Sequence, residues 1–326
     1  MRVVDLHVTS GRRGSGGSVS LVRVTATYRL EGFDTASRAL AVDVGVGPVN
    51  DGSSPLTSWH PADRPQPWDL EGLRVGRTDD ALVLVVGTPA RLAELQRRAG
   101  VASARVAAVW GPSRPAVWVA PASDADAGRL LGRPPASVEG LAAVTDGPLE
   151  TGVRAGADRI VVLPSAWDAL TGTGRDVVLT HELTHVTVRA STTRAVPDWL
   201  SEGFAELVAY RSVPLAEGVV VAPALARARR DGPATSLPTD ADFTPGTGRV
   251  EAAYGLSLLA ARTIADDRGL AGLVHVYREA AGALPVPTSA VGDPEAITDL
   301  ALRDALDSDR ATLVARWRGR VEQLLR

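Results

Sequence analysis

The stretch between residues 181 and 206 does most to decide the fold of this chain. It begins with His181-Glu182-Leu183-Thr184-His185 and ends with Trp199-Leu200-Ser201-Glu202-Gly203-Phe204-Ala205-Glu206. Residues four apart in an α-helix stand one turn above each other on the same face. If the first run is helical, its two histidines therefore face the same way, with Glu182 beside them.

Two imidazoles on one helix face are typical of a zinc site, and three protein ligands with one open position are typical of a catalytic one. Pro197 is typical of a helix start, so the second run predicts another helix. Its tryptophan and leucine supply an apolar packing face, and Gly203 permits close approach to a neighbour. The predicted ligands of one Zn²⁺ are His181, His185 and Glu202.

Two further carboxylates have predicted roles beside these ligands. Glu182 is the predicted general base, which takes a proton from the attacking water and passes it to the leaving amine. Glu206 stands one turn beyond Glu202 and is predicted to accept a hydrogen bond from the distal nitrogen of His181, fixing its tautomer. A solvated surface glutamate is the alternative interpretation of Glu206.

The two runs together resemble the gluzincin metallopeptidases, in which the glutamate of such a W-x-x-E-G-F-A run is the third zinc ligand. The resemblance is closest to the peptidase MA-like family of actinobacterial type. It extends over roughly residues 155–326, from a strand at 159–164 to a closing helix that contains Trp317. It implies a mostly helical, zincin-like catalytic domain with one zinc ion and a peptide or protein substrate.

The chain departs from better-known gluzincins in two respects. The gap between His185 and Glu202 is sixteen residues, which is shorter than in the thermolysin-like and aminopeptidase-like members. A G-x-M-E-N type segment, which anchors the substrate amino terminus in the aminopeptidases, is absent from the sequence. These differences argue against aminopeptidase activity but not against peptide hydrolysis.

A tyrosine on a later helix completes the predicted catalytic set. Gluzincins use a tyrosine as donor to the developing oxyanion, and Tyr254 is the candidate here. The alternative is a core tyrosine whose hydroxyl binds the backbone. His275, between Val274 and Val276, is interpreted as structural.

Composition excludes several other classes of protein. Apolar residues make up 45% of the chain and charged residues 22%, as in ordinary globular proteins. The formal net charge of −3 provides no field that would favour nucleic acid. The chain has no cysteine, so a thiolate zinc site, a disulfide framework and a cysteine nucleophile are all excluded.

The pattern along the chain predicts an α+β fold class with two domains. Residues 1–122 are predicted to form a β-rich α+β domain of unknown role, and residues 123–326 the mostly helical catalytic domain. Alternating apolar and polar residues predict strands, and apolar residues at helical spacing predict a helix over 88–99. The predicted strands of the first domain are 18–30, 38–46, 73–87, 104–110 and 116–120.

The composition of individual segments indicates where the chain is flexible and whether it carries a targeting or membrane segment. The glycine-rich segment 11–17 predicts a flexible linker. Neither an apolar signal region nor a stretch of about 18 uncharged apolar residues is present, so the sequence predicts a soluble chain without a transmembrane segment. Its location and oligomeric state are not determined, and an upstream anchor would place it outside the cytoplasm or at a membrane.

Three functional interpretations remain open from the sequence. The preferred one is a zinc-dependent peptidase. The second is a binding or regulatory module on a gluzincin scaffold that keeps the metal but cleaves nothing. The third is a structural zinc, which would favour a closed fourth coordination position, and no cysteine or nearby histidine supplies one.

Overall fold

The computed structural model of the protein describes residues 2–12, 20–48, 55–148, 152–283, 285 and 290–326. The chain divides into two compact units. The first unit comprises Met1–Gly100, Pro115–Pro148 and Gly156–Leu170. The second unit comprises Val101–Arg114, Leu149–Ala155 and Thr171–Arg326.

An antiparallel sheet of four strands forms the N-terminal part of the first unit. In order along the sheet, its strands are β1 (Arg2–Arg12), β2 (Ser20–Arg29), β3 (Arg38–Val46) and β4 (Leu56–Pro61). The predicted strands at 18–30 and 38–46 correspond to β2 and β3, whose alternate side chains, such as Val24 and Val42, are buried. Of the predicted linker 11–17, residues 11 and 12 end β1 and the remainder lies outside the described residues.

A mixed sheet of five strands forms the rest of the first unit. It contains β5 (Leu73–Arg77), β6 (Ala81–Val86), β7 (Ala116–Ala120), β8 (Ala143–Asp146) and β9 (Arg159–Val162), in the order β5-β6-β7-β9-β8. The pairs β6–β7 and β7–β9 are parallel, and β5 and β8 pair antiparallel at the edges. Every residue of β7 and β9 is buried, as expected for central strands.

Two short helices, α2 (Asp124–Leu131) and α3 (Pro164–Ala169), belong to the same unit. Since β8 and β9 pair with β7 or with each other, the residues that follow position 122 continue the first unit. The division into compact units therefore differs from the single boundary near residue 122 that the sequence suggests.

The strand predicted over 104–110 is wrong. These residues are the second half of α1 (Pro89–Trp110), which continues the helix predicted over 88–99. Ala102, Val106 and Trp110 are buried at intervals of four residues, and helical burial at this period overrides the β propensity of the valines.

The second unit is mostly helical. Its helices are α4 (Gly172–Arg189), α5 (Asp198–Tyr210), α6 (Glu217–Val220), α7 (Ala222–Asp231), α8 (Val250–Arg278), α9 (Pro294–Leu306) and α10 (Arg310–Leu325). Gly269, at φ 72°, interrupts the helical conformation within α8. The fully buried Trp317 of α10 donates a hydrogen bond from its indole to the carbonyl of Leu256 on α8, at 3.0 Å.

A β-rich first part followed by a mostly helical second part confirms the predicted α+β class. Among the described helices, none combines the length and the apolar character that a membrane crossing would require.

Candidate metal centre

Helix α4 carries both histidines of the first motif. Its first turn is capped by the Thr171 hydroxyl, which accepts a hydrogen bond from the amide of Gly174 at 3.1 Å. Leu179 and Leu183 are buried on the packing side of the helix. This burial fixes the rotation of α4 and turns His181 and His185 towards α5.

Helix α5 is held against α8 at a distance that only glycine permits. A Cβ atom on Gly203 would lie 2.3 Å from the backbone oxygen of Ser257 on α8. Trp199 and Leu200 are fully buried on the same helix. With these residues committed to packing, Glu202 faces α4 instead.

The first amide of α5 is capped from a distant segment. Pro197 occupies the cap position and has no side chain that could accept a hydrogen bond, but Asp240 Oδ1 accepts one from the amide of Asp198 at 3.2 Å. The segment 240–243 therefore lies beside the N-terminal end of α5.

Three donor atoms converge between α4 and α5. The distance from His181 Nε2 to Glu202 Oε2 is 3.0 Å, from His185 Nε2 to His181 Nε2 3.0 Å, and from His185 Nε2 to Glu202 Oε2 3.3 Å. Within the described ranges, these residues form the one group of three His, Asp or Glu side chains placed to share a metal ion.

Glu206 contacts the other nitrogen of the first histidine. Its Oε1 lies 2.9 Å from His181 Nδ1. In the neutral imidazole, an Nδ1–H that donates to Glu206 leaves a lone pair on Nε2, which faces the carboxylate of Glu202 and the ring of His185. A cation bound between these nitrogen and oxygen atoms would be stabilised by their lone pairs.

The cluster fits Zn²⁺ in donor type and in spacing. Zinc binds imidazole nitrogen at about 2.0–2.1 Å and carboxylate oxygen at a similar distance, so ligand atoms in a tetrahedral site are about 3.3 Å apart. The three observed separations of 3.0–3.3 Å are close to this value. Two nitrogens and one carboxylate oxygen are also a ligand set found in catalytic zinc sites.

The electrostatics of the cluster favour the ionised forms of its side chains. Burial would lower the pKa of His181, but the hydrogen bonds and charges of Glu202 and Glu206 outweigh it and raise that pKa well above 6.5. Burial would raise the pKa of Glu202, but the charge of His185 and the hydrogen bonds to both histidines hold it below its usual range. Glu202 therefore presents a carboxylate, as a zinc ligand must.

Tyr254 of α8 lies against the candidate ligands His181, His185 and Glu202, which we call the metal cluster. Its ring meets the His181 ring edge to face, with centroids 5.9 Å apart. Burial, together with the charges of nearby carboxylates that include Glu202 and Glu182, raises the pKa of Tyr254. The hydroxyl therefore keeps its proton, and it makes no hydrogen bond with any residue that the structure describes.

Glu182 follows His181 on α4 and is partly exposed. Its charge acts on Tyr254, so both side chains belong to the same polar environment. His275, by contrast, lies on an exposed face of α8.

Three residues near the cluster were missed by sequence reasoning. Burial, Asp240 and Glu202 raise the pKa of Asp198 to about 6. Phe243 packs edge to face on Tyr254, with ring centroids 5.6 Å apart. Asp198 stands one turn before Glu202, and its spacing could have revealed it. Asp240 and Phe243 lie in a short 3-10 helix about forty residues after Asp198 in the sequence. No local sequence pattern connects them with the cluster.

Comparison with known proteins gives limited similarity. No protein-family profile matches the chain, and no curated protein matches it significantly. One similar solved structure is a variant of a two-domain M1 zinc metallopeptidase bound to L-arginine. It has a TM-score of 0.42 and 16% sequence identity, and the match covers 93% of this chain and 61% of that chain. Another is an M1 zinc metallopeptidase from Deinococcus radiodurans, with a TM-score of 0.43, 18% identity, and coverage of 98% and 63%. This chain therefore spans less than two thirds of the length of either protein.

Proposed function

We propose that this chain is a zinc-dependent peptidase in which His181, His185 and Glu202 hold one Zn²⁺. The observation that supports this most directly is the convergence of two imidazole nitrogens and one carboxylate oxygen at 3.0–3.3 Å. When bound, zinc supplies positive charge that polarises a peptide carbonyl and makes a water molecule more acidic. The proposed substrate is a peptide or protein.

Glu182 is the proposed general base. The proposal is supported by its position directly after His181 on α4 and by its absence from the group of three converging side chains. Glu182 takes a proton from the water whose oxygen adds to the carbonyl carbon. It then delivers that proton to the amine nitrogen as the C–N bond breaks.

Tyr254 is the proposed donor to the oxyanion that develops on the carbonyl oxygen. A raised pKa keeps its hydroxyl protonated, and the absence of a hydrogen bond to any described residue leaves that proton available for the substrate. Its edge-to-face contact with His181 places the ring beside the ligands.

Glu206 is proposed to hold His181 in the tautomer that binds metal. Its Oε1, 2.9 Å from His181 Nδ1, accepts a hydrogen bond from the protonated Nδ1, which leaves Nε2 free to act as a ligand. The cluster thus assigns separate residues to binding the metal, orienting a ligand and moving a proton.

Metal analysis and a peptide-library cleavage assay on the same preparation test this function. We expect one zinc ion per chain and cleavage that a chelator abolishes. His185→Ala removes one ligand and is expected to lose both the zinc and the cleavage. Zinc without any cleavage would identify the binding or regulatory module that the sequence left open, and a protein without zinc would overturn the proposal.

A further inference from the structure

A cavity of about 310 Å³ lies within the second unit, apart from the metal ligands. It is bounded by the end of α1, the segment at Arg154, the loop between α4 and α5, and the end of α8 with the residues that follow it. Among its lining residues are Trp110, Arg154, Ser191, Thr193, Arg278 and Gly282. We call it the basic cavity, because the described residues that line it include two arginines and no carboxylate.

Arg278 is fixed at the wall of the basic cavity by Trp110. Its guanidinium carbon lies 4.7 Å from the centre of the Trp110 indole, and Nη2 donates to the Trp110 carbonyl at 2.7 Å. Trp110 in turn donates from Nε1 to the Ser191 hydroxyl at 3.1 Å and packs edge to face on Phe204 and Tyr277. The guanidinium is therefore held in place although it is exposed.

Much of the hydrogen-bonding capacity of this guanidinium is unused. Arginine has five N–H donors, and those of Arg278 have no bond within the described part of the chain other than the one to Trp110. Arg154 forms no ion pair with a described residue. Elsewhere in the same unit, Arg262, Arg310 and Arg320 are paired with acidic side chains.

Hydroxyl and backbone groups complete the wall. The Thr193 hydroxyl makes no hydrogen bond to another described residue. The amides of Thr193 and Arg194 both donate to the Ala281 carbonyl at 3.0 Å, which ties the α4–α5 loop to the end of α8. Gly282 adopts a φ of 152°, and a Cβ atom there would lie 2.7 Å from Thr193 Oγ1. The close approach of these two segments depends on glycine.

We propose that the basic cavity binds an oxyanion, namely the phosphate or carboxylate group of a small ligand. The planar fork of N–H groups on arginine matches the oxygens of either group, and a second guanidinium and a hydroxyl supply further donors. A volume of about 310 Å³ lies at the lower end of the range for small-molecule pockets. The site is independent of the proposed peptidase function, since it shares no residue with the metal cluster.

Calorimetric titration of the purified protein with inorganic phosphate, and separately with acetate, tests this site. We expect saturable binding of at least one of the two anions, which also shows which geometry the cavity prefers. Arg278→Leu is expected to weaken that binding about tenfold or more, because it removes a charge-assisted donor. Gly282→Ala should also weaken it, without any change of charge.

Arg318→Leu is the matched control, since it removes an exposed arginine of α10 that lies outside the cavity. We expect its anion affinity to equal that of the unmodified protein. Absence of saturable binding in the unmodified protein would overturn the proposal, as would equal weakening by Arg278→Leu and Arg318→Leu. Circular dichroism melting of each variant separates loss of binding from loss of folding.

Discussion

The metal cluster and the basic cavity are two polar regions of the same unit, but the chain assembles them in different ways. The metal cluster takes its donors from two consecutive helices, at spacings of one helical turn. The basic cavity is lined by four separated segments of the chain. The cluster gathers carboxylates and histidines, whereas the cavity gathers arginines. A site built on helical spacing can be predicted from sequence, and a site built by tertiary packing cannot.

A large effect on kcat is expected from Tyr254→Phe, which removes the proposed oxyanion donor beside the metal cluster. Loss of an oxyanion donor should lower kcat about 10²–10³-fold. KM should change little, because the hydrogen bond forms mainly in the transition state. Steady-state kinetics on a peptide identified by library screening measures both constants.

Tyr277→Phe is the matched control for this change. Tyr277 is buried, and burial raises its pKa to about 12 although the Ser201 side chain acts to lower it. Removal of the Tyr277 hydroxyl should leave kcat within a few-fold of the unmodified protein. Equal losses in the two variants would show that the role of Tyr254 is one of packing.

A smaller effect is expected from Glu206→Ala, which removes the partner of His181 Nδ1. Loss of such an outer partner typically lowers metal affinity about 10–100-fold. Competition with a zinc-binding dye measures the affinity. Glu206→Gln should recover part of the lost zinc affinity, because its amide oxygen still accepts a hydrogen bond from Nδ1–H. An unchanged zinc affinity in Glu206→Ala would show that Glu206 does not orient the ligand.

The smallest effects concern the two glycines on which the regions depend. Gly203→Ala places a Cβ atom 2.3 Å from a backbone oxygen, whereas at Gly282 the nearest atom, at 2.7 Å, belongs to a side chain. Backbone yields less readily than a side chain, so Gly203→Ala should destabilise the fold by about 1–3 kcal/mol. Gly282→Ala forces a side chain into a φ of 152°, which costs about 1–3 kcal/mol in addition to the contact with Thr193. Urea unfolding of both variants makes the comparison. An unchanged free energy of unfolding in either variant would contradict the dependence of that region on glycine.

Residues 181–206 show which part of the candidate site can be predicted from local spacing in the sequence. The pattern of residues 181–206 placed His181, His185 and Glu202 on two adjacent helices, and the structure brings them together. Gly203 indicated close helix packing, and in the structure α5 approaches the backbone of Ser257 on α8 too closely for a Cβ atom. Asp240 and Phe243 reach the cluster only through tertiary packing, and no local pattern could reveal them.

The elements of the fold show the same limit: strands with a local sequence pattern were predicted, and long-range strand pairing was not. Strands β2 and β3 were predicted because one face is buried and the other is not. The second half of α1 was misread as a strand, because a run rich in alanine and valine supports either period. The pairing of β9 with β7, more than thirty residues apart in sequence, lies beyond any local pattern and sets the composition of the first unit.

The most direct test of the proposed peptidase is made with Glu182→Gln, by measuring zinc content and peptide hydrolysis on one preparation. Because Glu182 is assigned to proton transfer and not to binding the metal, the variant should retain one zinc ion per chain. Its kcat should fall about 10²–10⁴-fold. Full hydrolysis by this variant, or loss of its zinc, would contradict the division of roles proposed for the metal cluster.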